Sequence, residues 1–308
     1  MCEVIRAAPL WVALGCGDDL LSAESVLGVD VPVEATYGGE TSELGSSVAW
    51  SGSSWAAAAP GAGEVWVDGE VTATGDAPPA SAAFVGWMGE ALVRAGPGGA
   101  VVNGEVLPEL SGSVFAVSSY GLFAWSEGTL TLNGGGSAPV AGVQGLTTDT
   151  AQVLALVCSG ACEPMGWVLM ESLDLVPLFG FGEAEGAGGP GGAIAIDFGA
   201  VCVGNPRLDD PDGAGSVTCS DGRHIEGEPG DHLGIAIGGG YAAGTFNKWV
   251  VPPRARILPL DGGEVLVLEE GAENQPIALA GDESTLIIGA PFHPRDGMPS
   301  GAVFVVSR

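Results

Sequence analysis

Three carboxylates, Asp209, Asp210 and Asp212, crowd one stretch, LDDPDGAG (Leu208 to Gly215). Oxygen ligands packed at that density suit a hard cation, and calcium is the cofactor candidate they suggest. No bidentate Glu stands at EF-hand spacing, so the acids make a thin cage. The same residues read equally as a Pro-Gly surface turn carrying solvated acids. His224, His232 and His293 are too few and too far apart for a zinc triad, and each is expected in a turn. No G-x-S-x-G elbow presents a serine nucleophile. The acid pairs Asp209–Asp210 and Glu269–Glu270 are sequence neighbours and need not converge on a substrate. No catalytic residue is assigned. The tryptophans, among them Trp50, Trp55, Trp66, Trp87 and Trp125, could stack on sugars. They fall within apolar runs, where packing is the simpler expectation.

The six cysteines divide by context. Cys158 and Cys162 (CSGAC) are close enough to close a small loop. Cys202 and Cys219 lie on two apolar runs flanking one polar loop, which an antiparallel hairpin would bring together. Paired CxxC motifs or added histidines would be needed for a thiolate zinc site, and neither occurs. Two disulfides, Cys158–Cys162 and Cys202–Cys219, are therefore expected, as in an exported protein.

Charge excludes some partners. Across 308 residues, 38 Asp and Glu face 9 Lys and Arg, a net charge of −29. No basic face can be assembled to displace counterions from nucleic acid, and anionic membranes are disfavoured for the same reason. The acids are scattered between apolar runs, as on a soluble, self-repelling surface. With 53 Gly and 21 Pro the chain could pass for a flexible linker, but its mean hydropathy of +0.35 is too high for disorder. Short apolar strands broken by Gly turns fit both numbers.

Residues 1–28 stand apart. One cation, Arg6, precedes an apolar stretch from Ala7 to Gly15, and Cys16 follows Ala-Leu-Gly with Asp18 and Asp19 behind it. This resembles a bacterial lipoprotein export signal, which implies lipidation at Cys16. Ala13 departs from the larger aliphatic residue usual there, and a buried N-terminal strand is the other reading. The apolar core is too short to span a bilayer, and no other segment approaches that length.

The elements that would position any site come from repetition. Pairs of apolar runs around a polar turn recur, with landmark prolines at Pro60, Pro97, Pro206, Pro253 and Pro291. The steps are 37, 47 and 38 residues, and the 109-residue gap after Pro97 holds two degenerate copies, Ser113 to Gly135 and Ala151 to Leu175. Seven units of about 40 residues predict an all-β, seven-bladed propeller of four-stranded antiparallel blades over residues 29–308. The ring is expected to close by pairing the last strand with one near Val29 to Tyr37.

A second landmark, Leu-Gly before an apolar run, occurs in SELGSSVAW (Ser42 to Trp50) and GDHLGIAIG (Gly230 to Gly238). Leu-Gly followed by Gly-Ala-Pro, clearest in IIGAPFHPRDGMPSGAVFVV, resembles the FG-GAP repeat of the integrin α-chain propeller and its bacterial relatives. That resemblance implies a calcium loop before each Gly-Ala-Pro strand. The matching segments, Ser51 to Ser54, Trp87 to Glu90, Ala195 to Gly199 and Gly281 to Ser284, hold too few carboxylates, so the metal does not carry over there.

The expected protein is a secreted or envelope-anchored monomer that binds an extracellular protein or glycan, with the loops after Pro206 and Pro291 facing the partner. Two alternatives stand beside it. One is a hydrolase or lyase, which needs titratable groups converging on the central channel. The other is a structural envelope protein.

Overall fold

In the computed structural model the described residues are 6–7, 10–11, 33–74, 84–118, 121–132, 136–148, 152–158, 162–168, 176–178, 182–184, 187–247, 253–269, 277–295 and 298–308. The proposed export signal and Cys16 lie outside them, apart from a two-residue pair, Arg6–Ala7 with Leu10–Trp11.

Seven four-stranded antiparallel sheets follow one another along the chain. From the channel outward, blade one is Ser47–Trp50, Trp55–Ala59, Glu64–Val67 and Glu70–Thr74, and blades two to six repeat the order. Blade seven is Ala278–Gly281, Thr285–Ala290 and Ala302–Ser307, and its outer strand is Val33–Tyr37 from the start of the ring. Val33 pairs with Val306 and Tyr37 with Ala302, which closes the ring as the sequence predicts.

All seven sequence copies fall on blades. Pro60, Pro97, Pro206, Pro253 and Pro291 each lie between the second and third strands of their own blade. Proline cannot donate to the ladder, so it marks the residue where pairing stops. The second strands are nearly continuous apolar runs buried on both faces. Trp55–Ala59 is buried throughout, as is Leu286 to Ala290. Buried side chains fill the seams between blades. Phe246, Ile257 and Leu268 of blade six meet Leu286, Ile288 and Phe304 of blade seven, while Phe115, Leu122 and Ala124 of blade three meet Val93 and Ala95 of blade two.

The two landmarks interlock. Leu44 makes a parallel bridge with Gly301, and Leu233 makes the same bridge with Gly215. A Cβ added to Gly289 would collide with the Gly45 carbonyl oxygen, and one added to Gly204 with that of Gly234. At each of these junctions the Leu-Gly of the incoming blade rests its backbone on the glycine one residue before the end of the previous blade's second strand. Gly45 and Gly234 have φ of 92° and 108°, a conformation side chains rarely adopt. Glu43 and His232, one residue before each leucine, share φ near 57° and 49°.

Both disulfides form as expected, each joining second to third strand. Cys158 pairs with Cys162 in blade four, with Cα atoms 4.1 Å apart, and Cys202 with Cys219 in blade five, at 4.0 Å. Among the described residues no helix is long and apolar enough to cross a membrane.

Candidate interaction face

In such a ring the connections from second to third strand, and from one blade to the next, gather at one end. The loops after Pro206 and Pro291 therefore share a face, and each is tied to the connector beside it. Residues 206–215 bond to the connector at 227–235: Gly230 N–H donates to the Asp212 carbonyl, His232 N–H to Gly213 and Leu233 N–H to Ala214. Residues 291–295 and 298–301 bond in the same way to residues 38–46. Thr41 N–H donates to Pro299, Gly38 N–H to Gly301, and the Ser42 hydroxyl to the Ser300 carbonyl.

Buried polar groups lock both pairs. The side chain of Asp231 is 3% exposed, and its carboxylate accepts from Asn247 Nδ2, from the Glu228 backbone and from Arg256 Nη1, which also meets Glu228. His232 lies beneath the first loop with its Nδ1 3.1 Å from the Pro206 carbonyl oxygen. His293 is packed 5.2 Å from Phe304 and 6.0 Å from Tyr37, ring centre to ring centre, and burial lowers its pKa to about 4. Its Nδ1 is buried without a hydrogen-bond partner. Arg295 sits over the Tyr37 ring at 5.5 Å. Two large apolar side chains project from this braced surface: Leu208, 51% exposed, and Met298, 54% exposed.

The other residues singled out in the sequence fall as follows. Asp209, Asp210 and Asp212 are exposed on the first loop. Asp210 spends a carboxylate oxygen on the Asp212 N–H, a turn-forming bond. Among the described residues no group of three or more His, Cys, Asp or Glu is arranged to hold a metal ion. His232 and His293 lie in loops, as expected of turn residues, but they are buried. His224 is not in a turn: it belongs to the outer strand His224–Glu226, with Nδ1 2.8 Å from Thr218 Oγ1. Trp55 is buried in the seam between blades seven and one. Trp50 and Trp87 instead line the channel.

That channel, about 450 Å³, is walled by the inner strands of all seven blades, with Val48, Trp50, Val85, Trp87, Phe115 and Leu146 among its surfaces. Its described wall is Gly, Ala, Val, Leu, Ile, Phe, Trp and Thr. Such a wall supplies no general acid or base. At the end opposite the braced loops, Trp50 Nε1–H donates to Asp282 Oδ2 at 2.7 Å. This bond, with those from Ser284, holds the Asp282 carboxyl down at about 2.

No family model matches the chain, and no curated protein matches it in sequence. Solved structures do. The chain of U3-55K superposes with a TM-score of 0.57 at 11% identity, over 90% of this chain and 98% of that one. The computationally designed protein Ika8 gives 0.54 at 12%, over 89% and 98%. A chain from the mitotic checkpoint complex gives 0.53 at 12%, over 99% and 97%. The likeness is one of fold. At such identities it carries nothing about substrate or partner.

Proposed function

We propose that this propeller is an extracellular or cell-surface binding scaffold, related to FG-GAP proteins, which recognises a protein or glycan partner through the face bearing residues 206–215 and 291–301. The observation that carries the reading is the bracing of two loops, each by its neighbouring connector, with Leu208 and Met298 exposed upon them. Loops held by their connectors lose little entropy on binding, and Leu208 and Met298 offer apolar side chains that a partner can cover. The two disulfides support an oxidising compartment, in line with export directed by residues 1–28. The interlock of Leu-Gly with the glycine near the end of the previous second strand supports the FG-GAP kinship. Binding is favoured over hydrolysis or lyase chemistry because the described residues of the channel wall offer no proton-transfer group. The test is binding to panels of secreted proteins and glycans, with Leu208→Asp and Met298→Asp compared against the unsubstituted chain.

A further inference from the structure

A second cavity, about 400 Å³, opens at the opposite end of the ring between the turns of blades five, six and seven. We infer that it binds a neutral polyhydroxylated ligand, a glycan residue, independently of the loop face described above.

Charge decides the ligand class. Arg223 and Arg308 line the cavity together with Asp261 and Glu283, so guanidinium donors and carboxylate acceptors both face it. An anion entering would meet both carboxylates, besides the chain's charge of −29. A cation would meet the Arg308 guanidinium, Arg223 being already paired with Asp197 and Asp221. A sugar hydroxyl donates and accepts at once, so it can use both kinds of group with no net charge to bury.

The polar groups are held in advance. Arg223 is fixed by Asp197, whose side chain is 5% exposed, at 2.9 Å, and by Asp221 at 2.7 Å. Asp197 also accepts the Gly240 N–H, tying blade five to blade six. Arg308 donates to the Gly239 carbonyl and stacks over the Tyr241 ring at 4.5 Å. Rigid donors of this kind lose little on binding.

Phe198 supplies the apolar surface. It is 59% exposed, the most exposed large apolar side chain among the described residues, and its φ is 47°. A bulky residue in the left-handed region is an outlier, and glycine would fit that turn better. Gly240 leaves room for the ring: a Cβ there would lie 3.1 Å from Phe198 Cε2. The turn thus holds an aromatic face at the cavity's edge against both solvation and backbone preference, a surface on which a sugar ring can stack. A cavity of this size falls within the usual range for small ligands.

The experiment measures saturation-transfer NMR and thermal shift with neutral hexoses and N-acetylhexosamines. Glucuronate and protonated glucosamine serve as charged counterparts. Neutral sugars are expected to bind in the millimolar range, and more tightly than either charged one. Phe198→Gly is expected to hold or raise the melting temperature, because it relieves the left-handed strain, yet to weaken binding about tenfold. Retained folding separates loss of the site from loss of the protein. Leu208→Asp, on the other face, is expected to leave sugar binding unchanged, so failure of the loop-face reading would not be mistaken for failure here. Absence of binding by any neutral sugar, tighter binding of a charged one, or equal binding by Phe198→Gly would overturn the inference.

Discussion

Gly204 and Gly234 meet backbone to backbone where blade five hands over to blade six, and a Cβ on Gly204 would collide with the Gly234 carbonyl oxygen. Gly289 and Gly45 do the same where the ring closes. Substituting Gly204 or Gly289 by Ala forces backbone apart at a blade seam, which is expected to cost about 1 to 3 kcal/mol. Gly39 has open space around its Cβ position and no left-handed φ, so Gly39→Ala is expected to be neutral. Thermal and denaturant unfolding of the three variants checks this. Equal stability across them would contradict the interlock.

The closing strand should behave as part of the last blade. Ala35 is buried among Phe304, Leu286 and Val306. Ala35→Asp would place a carboxylate in that cluster without a partner, which is expected to destabilise the fold by several kcal/mol. The more exposed Glu34→Gln is expected to change it little. Chemical denaturation read by tryptophan fluorescence compares the two.

Reduction should lower stability in an order set by loop length. Cys202–Cys219 closes the longer loop, with a sequence separation of 17 against 4 for Cys158–Cys162. Its loss is expected to cost about 3 kcal/mol, and that of the shorter bridge less. Melting curves of the two double Cys→Ser variants, with and without reductant, test the order. Reductant should have no further effect on a variant lacking both.

His293 predicts a pH dependence. Its pKa is about 4 in the fold, against 6.5 for a free side chain, so between those values the unfolded chain binds the extra proton. Stability is complete above about pH 6.5, falls as the pH drops towards 4, and is then reduced by about 3 kcal/mol. Asp282, held near 2, keeps its contribution through that window and loses it only at lower pH. His293→Phe, which cannot be protonated, is expected to flatten the slope between pH 6.5 and 4. Stability measured by denaturant titration at successive pH values reads the slope directly.

Glycine, proline and apolar spacing carried the fold because each marks a backbone requirement. Pro206 and Pro291 end a second strand, and Gly45 and Gly234 take a conformation few residues adopt. Strand Val33–Tyr37 was legible as the ring's closure for the same reason: its alternation suits an outer strand. Burial of His232 and His293 was not legible. His232 follows Pro229 and Asp231 in sequence and His293 precedes Pro294 and Arg295, and what covers them comes from connectors and strands distant along the chain. The cavity at Phe198 left no trace in the sequence, because its lining is drawn from turns of three blades. Asp209, Asp210 and Asp212 looked like a site by proximity alone, and three exposed carboxylates on one turn need not point at a common centre.

The recognition face is tested most directly by quantitative binding to panels of secreted proteins and glycans, using the unsubstituted chain, Leu208→Asp, Met298→Asp and the distant surface variant Val71→Asp. The account predicts a partner whose binding falls at least tenfold with either loop substitution and survives Val71→Asp, all four proteins melting alike. A partner bound equally by all four, or none bound by the unsubstituted chain, would contradict it.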